Sequence, residues 1–516
     1  MAEVANDDDT PWLDLGTYSS FLAYQAPLTV SWIAAMRGLG TAPLNESFSY
    51  LELGSGQGLA LAVLADCNPG ARFIGVEPDA GEAHRAQAFI GEAGLSNIEI
   101  HNAPLEDVGN LPLPPCDIAT LSGLYSWYPK EARLGLVRAL TKTLKPGGLL
   151  CVQYSAVPGN VHAETTFLLI KSLAALQEGD ERQRLGTAMR RTMELAQSGA
   201  LFFKQTPAAA EVLARLPNSD ARLAAREILQ GAGRSLSHIE VAEEMSACGL
   251  SFVGNGQLER NSMELVVPPA MRTIIEAVKG QAARELMLDY ALNAGMRIDI
   301  YAKPAESAPR EPAEAMAPFL LARFLHGEET LVRQQFAQRT GVDFTAGLYD
   351  DLLRLVGKTP MSVQEILDHA DMRRHARARI LRALQLLVGL VFIQLVRTRA
   401  TIAEGPLPEK VKLASRLNAQ ILERWLPRHD VAPYSSPVTG MRVTNTSSDR
   451  IRLYAFLGGA LEPALKKFSE SGVSFTDNEG KPMTLEAFRD FILAGMPQYR
   501  AREAVVLYTL GVLAPA

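Results

Sequence analysis

Tyr50-Leu51-Glu52-Leu53-Gly54-Ser55-Gly56-Gln57-Gly58 is the stretch whose reading decides the fold. An apolar run, Phe48 to Leu53, breaks into three glycines at alternate positions, and a helical pattern, Leu59 to Leu64, follows. Strand, glycine-rich turn and helix open a doubly wound nucleotide-binding sheet. Glycine lets the backbone turn tightly and come close to a ligand where a side chain would intrude. A dinucleotide fingerprint needs glycine at the first, third and sixth positions. The sixth position from Gly54 is Leu59, so that fingerprint fails. No Gly-Lys-Ser/Thr follows, which excludes a phosphate-cradling Walker loop.

The pattern Glu-x-Gly-x-Gly-x-Gly instead resembles the first motif of class I S-adenosylmethionine methyltransferases. The resemblance implies S-adenosyl-L-methionine as cofactor, held by Glu52, Gly54, Ser55, Gly56 and Gly58. A second strand, Arg72 to Glu77, ends in an acid 23 residues past Gly54, near the distance expected for a ribose-binding carboxylate. Such a carboxylate accepts hydrogen bonds from both ribose hydroxyls; Glu77 and the adjoining Pro78 are therefore expected at the cofactor. Ile98 to His101 is a third strand, after which the family places an Asp at the adenine amine. Here that register falls on Pro104, so Leu105 on the ring and Glu106 or a main-chain group at the amine are the expected substitutes.

Asp117 to Leu121 is the fourth strand and runs into Ser122-Gly123-Leu124-Tyr125-Ser126-Trp127-Tyr128-Pro129. Ligands of an open parallel sheet lie beyond the carboxyl ends of the strands, so this segment faces the transferable methyl. Ser122 and Gly123 are expected at the cofactor. Aromatic rings stabilise a cation and can wall a channel for an alkylammonium group. Tyr125 and Trp127, with Tyr154 at the end of the fifth strand (Leu149 to Tyr154), are the expected acceptor channel. No carboxylate or His in these segments reads as a general base.

Gly123-Leu124-Tyr125-Ser126-Trp127 together with Tyr154-Ser155-Ala156-Val157-Pro158-Gly159 resembles bacterial methyltransferases that carry a methyltransferase regulatory domain. That group includes the rickettsial-type protein lysine methyltransferases. Glu285, Asp289, Arg297 and Asp299 match the family's regulatory-segment ending. The chain departs from the family at Ser122, where His is usual, and at Gln153-Tyr154-Ser155, where Ser-Tyr-Asn is usual. Its usual His-Glu-Tyr-Leu is also absent, with Leu229-Gln230-Gly231 near that place. The resemblance implies N-methylation of lysine in a protein substrate. A peptide, glycan or small-metabolite acceptor, and a cofactor-binding regulator without transfer activity, stay open beside it.

The expected architecture is α/β: a Rossmann-like class I methyltransferase sheet with a helical insertion, plus a mainly α C-terminal region containing a winged-helix-like module. Residues 1–156 form the cofactor-binding core, with a helical preface over 11–40 suited to covering the crevice. Residues 157–235 form the insertion, whose apolar faces need the catalytic mouth or a second subunit, leaving a homodimer open. Residues 236–304 complete the sheet with strands at Leu250 to Val253 and Arg297 to Ala302. A linker over 305–318, the winged-helix-like unit over 319–406 and a helical unit over 407–516 follow. The loop Tyr434-Ser435-Ser436-Pro437 belongs to the last.

With 516 residues, 47% apolar and 21% charged, the chain is long enough for two or three cores. A formal charge of −6 disfavours nucleic acid and acidic membrane surfaces as partners. Arg373, Arg374, Arg377, Arg379 and Arg382 crowd one helix, and a solvated, protein-contacting face is preferred there to a DNA-reading one. The N-terminus lacks a signal-peptide pattern, the longest uncharged apolar run is too short to span a bilayer, and the four cysteines stand apart. A cytoplasmic protein without metal or membrane insertion is the expectation.

Overall fold

A computed structural model describes residues 23–40, 47–216, 228, 234–324, 329–345, 347–399, 405–426, 431–445, 447–470, 475–476 and 482–516. Tyr18, Phe21 and Leu22 of the expected preface, and Leu229-Gln230-Gly231, lie outside these residues.

A seven-stranded sheet runs in the order β3-β2-β1-β4-β5-β7-β6. Its strands are β1 (Ser49–Leu53), β2 (Arg72–Glu77), β3 (Ile98–Asn102), β4 (Cys116–Leu121), β5 (Leu144–Ser155), β6 (Ser251–Asn255) and β7 (Met296–Ala302). The first five pair in parallel and β7 pairs antiparallel to both β5 and β6. The order reverses at β1, so the switch point falls between the tips of β1 and β4, where an open sheet binds its ligand. The two strands expected after a long insertion are present and close the sheet.

Buried alternation along the strands splits the core between two faces. On one face α1 (Pro27–Ala35), α2 (Leu59–Cys67) and α3 (Ala80–Ala93) pack over Tyr50, Phe73 and Ile118. On the other, α4 (Lys130–Thr143) packs over Leu51, Leu121, Leu150, Val152 and Tyr154. Local chemistry sets the helix ends. The Asp79 side chain accepts from the Glu82 amide at 2.8 Å to open α3, and Gly94, in the left-handed region, closes it.

The insertion leaves β5 as α5 (Val161–Ala175), α6 (Glu181–Gln197), α7 (Leu201–Gln205) and α8 (Pro207–Arg215). It has a small core of its own around Ile170, Leu185, Ala188, Phe203 and Leu213. The chain returns at 234–236, where Arg234, Leu236 and Val157 amides bond to the carbonyls of Ser126, Ser155 and Leu236. That short segment ties the loop after β4 to the tip of β5. A capping box of Ser237 and Glu240 then opens α9 (His238–Ala247), which packs on the α4 face.

Beyond residue 304 the expected linker contains a helix, Pro312–Met316. Within the unit expected over 319–406, the helices Val363–Asp368 and Arg377–Gly389 precede β10 (Gln394–Val396), which pairs antiparallel with β8 (Leu320–Ala322), itself paired with β9 (Met361–Ser362). The strand is shorter than the apolar run suggested because Val391 sits at a φ of 61°, which breaks extension. Arg374 and Arg377 pair with Asp351 and Asp368, and Arg382 pairs with Glu264. Tyr434-Ser435-Ser436 is not a loop. It belongs to a strand, Ala432–Ser436, that pairs with Met441–Asn445 across the Pro437–Gly440 turn. That hairpin packs on α2: Ser435 bonds Asp66, and Asn68 donates to the Gly440 carbonyl at 3.4 Å. Trp425, Tyr434 and Tyr499 share the apolar core of the sheet face that holds the glycine-loop helix.

Among the described residues no helix is long and apolar enough to cross a membrane, and no group of three or more His, Cys, Asp or Glu is placed to hold a metal. Cys67, Cys116 and Cys151 are buried free thiols, and Cys248 is half-buried. Burial pushes the Cys116 and Cys151 thiols up to about 12.

Candidate cofactor groove and acceptor cleft

The glycine loop joins β1 to α2 with Gly54, Gly56 and Gly58 all at positive φ. A Cβ on Gly54 would stand 2.1 Å from Leu124 Cδ1, so the loop after β4 can rest there only on a bare backbone. At Gly56 nothing lies within 4 Å of the position a Cβ would take, leaving an open cradle. Glu77, at the tip of β2, leans over that cradle: Oε2 accepts from the Gly56 amide at 2.7 Å and Oε1 from the Asp79 amide at 3.0 Å. Asn102 steadies the turn by donating to the carbonyls of Glu77 and Pro78. Pro78 and Glu106 are exposed at the rim.

Inside the loop Glu52 is 4% exposed and receives a hydrogen bond on Oε1 from Gln25 Nε2 at 3.1 Å. Burial is the main cause that raises its pKa, with the charge of Glu77 adding and the Gln25 bond opposing, and it reaches about 8. Glu52 Oε2 and Ser55 Oγ are buried with no hydrogen-bond partner among the described residues. Orphaned acceptors beside a glycine cradle and a ribose-height acid fit S-adenosylmethionine, whose methionyl ammonium supplies the missing donors. Ser122 Oγ donates to Gln25 Oε1 at 3.1 Å, so one carboxamide from the segment ahead of α1 links the tips of β1 and β4. Sequence reasoning placed a helical cover there but missed Gln25, whose role depends on a contact made across 27 residues.

Two expectations for side chains change, those for Leu105 and Tyr125, while Tyr154 lines the candidate acceptor cleft with its hydroxyl turned to Asp299. Leu105, expected on the adenine ring, is 1% exposed and packs with Val76 and Val108 in the core, because the short helix it opens turns it inward. Tyr125, expected in the acceptor channel, is fully buried, and its hydroxyl donates to Glu244. Arg133 binds the same carboxylate at 3.0 and 2.5 Å. Tyr154 is 2% exposed and donates to Asp299 Oδ2 at 2.6 Å. Both hydroxyls are thus committed to carboxylates beneath the site and brace it from below. The half-buried Tyr128 was missed. Burial, then the charges of Glu106 and Glu77, raise its pKa.

Gly123, Trp127 and Tyr154 come together at the tips of β4 and β5. With Gln153, Ser155 and the backbone of Gly295 they line one wall of a cleft of about 820 Å³. The other wall is the stripe Ala163, Glu164, Phe167, Leu168, Lys171 of α5, with Val212 and Arg215 of α8. One helix face contributes because these positions recur at three- and four-residue steps. The cleft therefore joins the tips of β4 and β5 to the insertion.

Replacing Glu77 with Ala should cut S-adenosylmethionine affinity by about 1–3 kcal/mol through lost charge-assisted hydrogen bonds. Calorimetric titration checks this, and unchanged binding would remove Glu77 from the groove.

The family model for a methyltransferase domain matches residues 51–150, and that for a predicted methyltransferase regulatory domain matches 220–303. The chain is similar to the uncharacterized protein sll1526 of Synechocystis sp., at 22% identity over 86% of this chain and 87% of that one. It is also similar to the trans-aconitate 2-methyltransferase of Azoarcus sp., at 30% identity over 23% of this chain and 44% of that protein. Among solved structures, PKMT2 from Rickettsia typhi in complex with AdoHcy superposes with a TM-score of 0.65 at 15% identity, covering 96% of this chain and 99% of that one. The glycine cradle, the acid at the tip of β2, the sheet order and these matches agree on an S-adenosylmethionine-dependent methyltransferase with a class I, Rossmann-like fold, whose residues 220–303 match a predicted methyltransferase regulatory domain.

Proposed function

We propose that the chain N-methylates lysine side chains of a protein substrate. The observation that carries this reading is the cleft between Trp127, Gln153 and Ser155 on one side and α5 on the other. It begins at the strand tips where the cofactor groove ends, and its described lining holds the rings of Trp127, Tyr154 and Phe167, aliphatic side chains, the carboxylate of Glu164 and the cations Lys171 and Arg215. An aliphatic chain ending in an amine matches that sequence of surfaces. The resemblance to rickettsial-type protein lysine methyltransferases supports the same acceptor.

Glu52, Gly54, Ser55, Gly56, Gly58, Glu77, Pro78, Glu106, Ser122 and Gly123 would hold S-adenosylmethionine, with Gln25 added from its bonds to Glu52 and Ser122. When bound it supplies a methyl group on a positive sulfur, which the amine's lone pair takes as the carbon–sulfur pair returns to sulfur. The chain's own part is alignment and exclusion of water. Trp127 lies beside the acceptor chain, and the α5 wall separates the reacting nitrogen from solvent. A lysine ammonium, with an ordinary pKa of about 10.4, must shed its proton before attack.

A second reading is a small carboxylate acceptor. Lys171 and Arg215 line the same cleft, and the matched part of a trans-aconitate 2-methyltransferase gives that reading an observation of its own. Incubating the chain with lysate and methyl-tritiated S-adenosylmethionine separates the two. Label in protein that hydrolyses to methyllysine is the expected result. Label in small molecules alone transfers the assignment to the second reading, and no label despite cofactor binding overturns both.

A further inference from the structure

We propose that Glu164 is the specificity-determining residue of the acceptor cleft, its carboxylate receiving the ammonium of the lysine to be methylated. The inference rests on the amine reading above and names the group that enforces it.

Glu164 stands in the first turn of α5, where the helix field suits a negative charge. Its Oε2 accepts from the Ser235 amide at 2.9 Å. The Ser235 hydroxyl in turn accepts from Asn160 Nδ2 at 3.1 Å, and Ser235 is 4% exposed. The next residue, Leu236, donates to the Ser155 carbonyl at 2.9 Å, at the tip of β5. One short segment therefore fixes both the strand tip and the carboxylate, which places Glu164 at the sheet end of the cleft. Lys171 and Arg215 also line the cleft. Seven residues along a helix put Lys171 about 10 Å beyond Glu164. Glu164 is the one carboxylate among the described lining residues, so an ammonium that reaches the sheet end meets it. A neutral acceptor would leave the Glu164 carboxylate without an opposite charge as it is desolvated, a cost that the correct substrate avoids.

The test uses the full chain saturated with S-adenosylhomocysteine and two labelled short peptides, one with a central lysine and a twin with norleucine. Anisotropy should show Glu164→Gln weakening the lysine peptide by about 10-fold or more, as expected for loss of a charge-assisted contact. Affinity for the norleucine twin and for S-adenosylhomocysteine should stay unchanged, and Glu164→Asp should recover part of the loss. Gln keeps an acceptor for the Ser235 amide, so the cleft wall is retained. Equal loss for both peptides, unchanged lysine-peptide affinity, or no binding of either peptide by the parent chain overturns the proposal. If the parent chain labels no lysine in lysate, the amine reading itself falls. If it labels lysine and Glu164→Gln labels it equally well, only the role of Glu164 falls.

Discussion

Asp299→Ala should lower the unfolding free energy by about 3–5 kcal/mol, the cost of stripping one partner from a buried charge network. Asp299 is fully buried on β7 and gathers four groups. Its Oδ1 accepts from Arg297 at 2.9 Å, and its Oδ2 accepts from the hydroxyls of Tyr154 and Tyr301 and lies 2.8 Å from His238 Nδ1. Arg297, 1% exposed, also pairs with Asp289 at 2.8 Å and Glu285 at 2.9 Å. Burial pushes the Asp299 carboxyl up, but Arg297, His238 and Tyr154 outweigh it and hold it at about 2. A depressed carboxylate pKa contributes stability above the unfolded value, here 3.8, and loses it as pH falls through about 2. Chemical denaturation at neutral pH therefore shows the full loss. A change below about 1 kcal/mol would mean the network is not a source of stability.

The second large effect is a pH dependence at Glu52. Its folded pKa of about 8 stands above the ordinary 4.5, so the unfolded chain loses this proton first as pH rises. The stability held by the neutral form is complete below about pH 4.5 and is lost as pH rises through about 8. Glu52→Gln cannot ionise and escapes that loss. The free variant should gain on the parent by up to about 1.4 kcal/mol per pH unit across this window and no further above it. Denaturation midpoints at several pH values check this, and parallel curves would mean that Glu52 is already ionised in the free chain. The same substitution should weaken cofactor binding, because the amide offers the methionyl ammonium no charge.

These two carboxylates differ in how far the sequence disclosed them. The glycine loop places Glu52 and Glu77 by local spacing alone, since a strand, a turn and a helix are adjacent in the chain. The quartet Glu285, Asp289, Arg297 and Asp299 was visible as a family ending, and it folds into one network because α-helical and strand steps bring them together. The seven strands were legible as apolar runs, but their order in the sheet was not. Tyr154 could have been placed by the same alternation: it shares parity with Leu150 and Val152, both on the face covered by α4 and α9. Tyr125 carried no such signal. Its partner Glu244 lies 119 residues on, past the whole insertion, and nothing local announces the pairing. Gln25 and Glu164 were hidden for the same reason: Gln25 bonds Glu52 and Ser122, 27 and 97 residues on, and Glu164 bonds Ser235, 71 residues on. Leu105 was misplaced because a short helix, not an extended turn, follows β3.

The C-terminal hairpin on α2 extends the argument to the groove. Ser435, Asn68 and Asp66 join the back of the glycine-loop helix to residues far along the chain. The same apolar core holds Trp425, Tyr434 and Tyr499 against that helix. The C-terminal helices thus take part in holding the loop's geometry, whatever else they bind.

The account turns on where one ligand lies, and a crystal structure of the chain with S-adenosylhomocysteine tests that most directly. The prediction is a ribose within hydrogen-bond distance of Glu77, main chain of Gly54 to Gly58 along the ligand, and its sulfur opening into the cleft beside Trp127. A nucleoside bound away from the tips of β1, β2 and β4, or one whose sulfur faces away from that cleft, would contradict it.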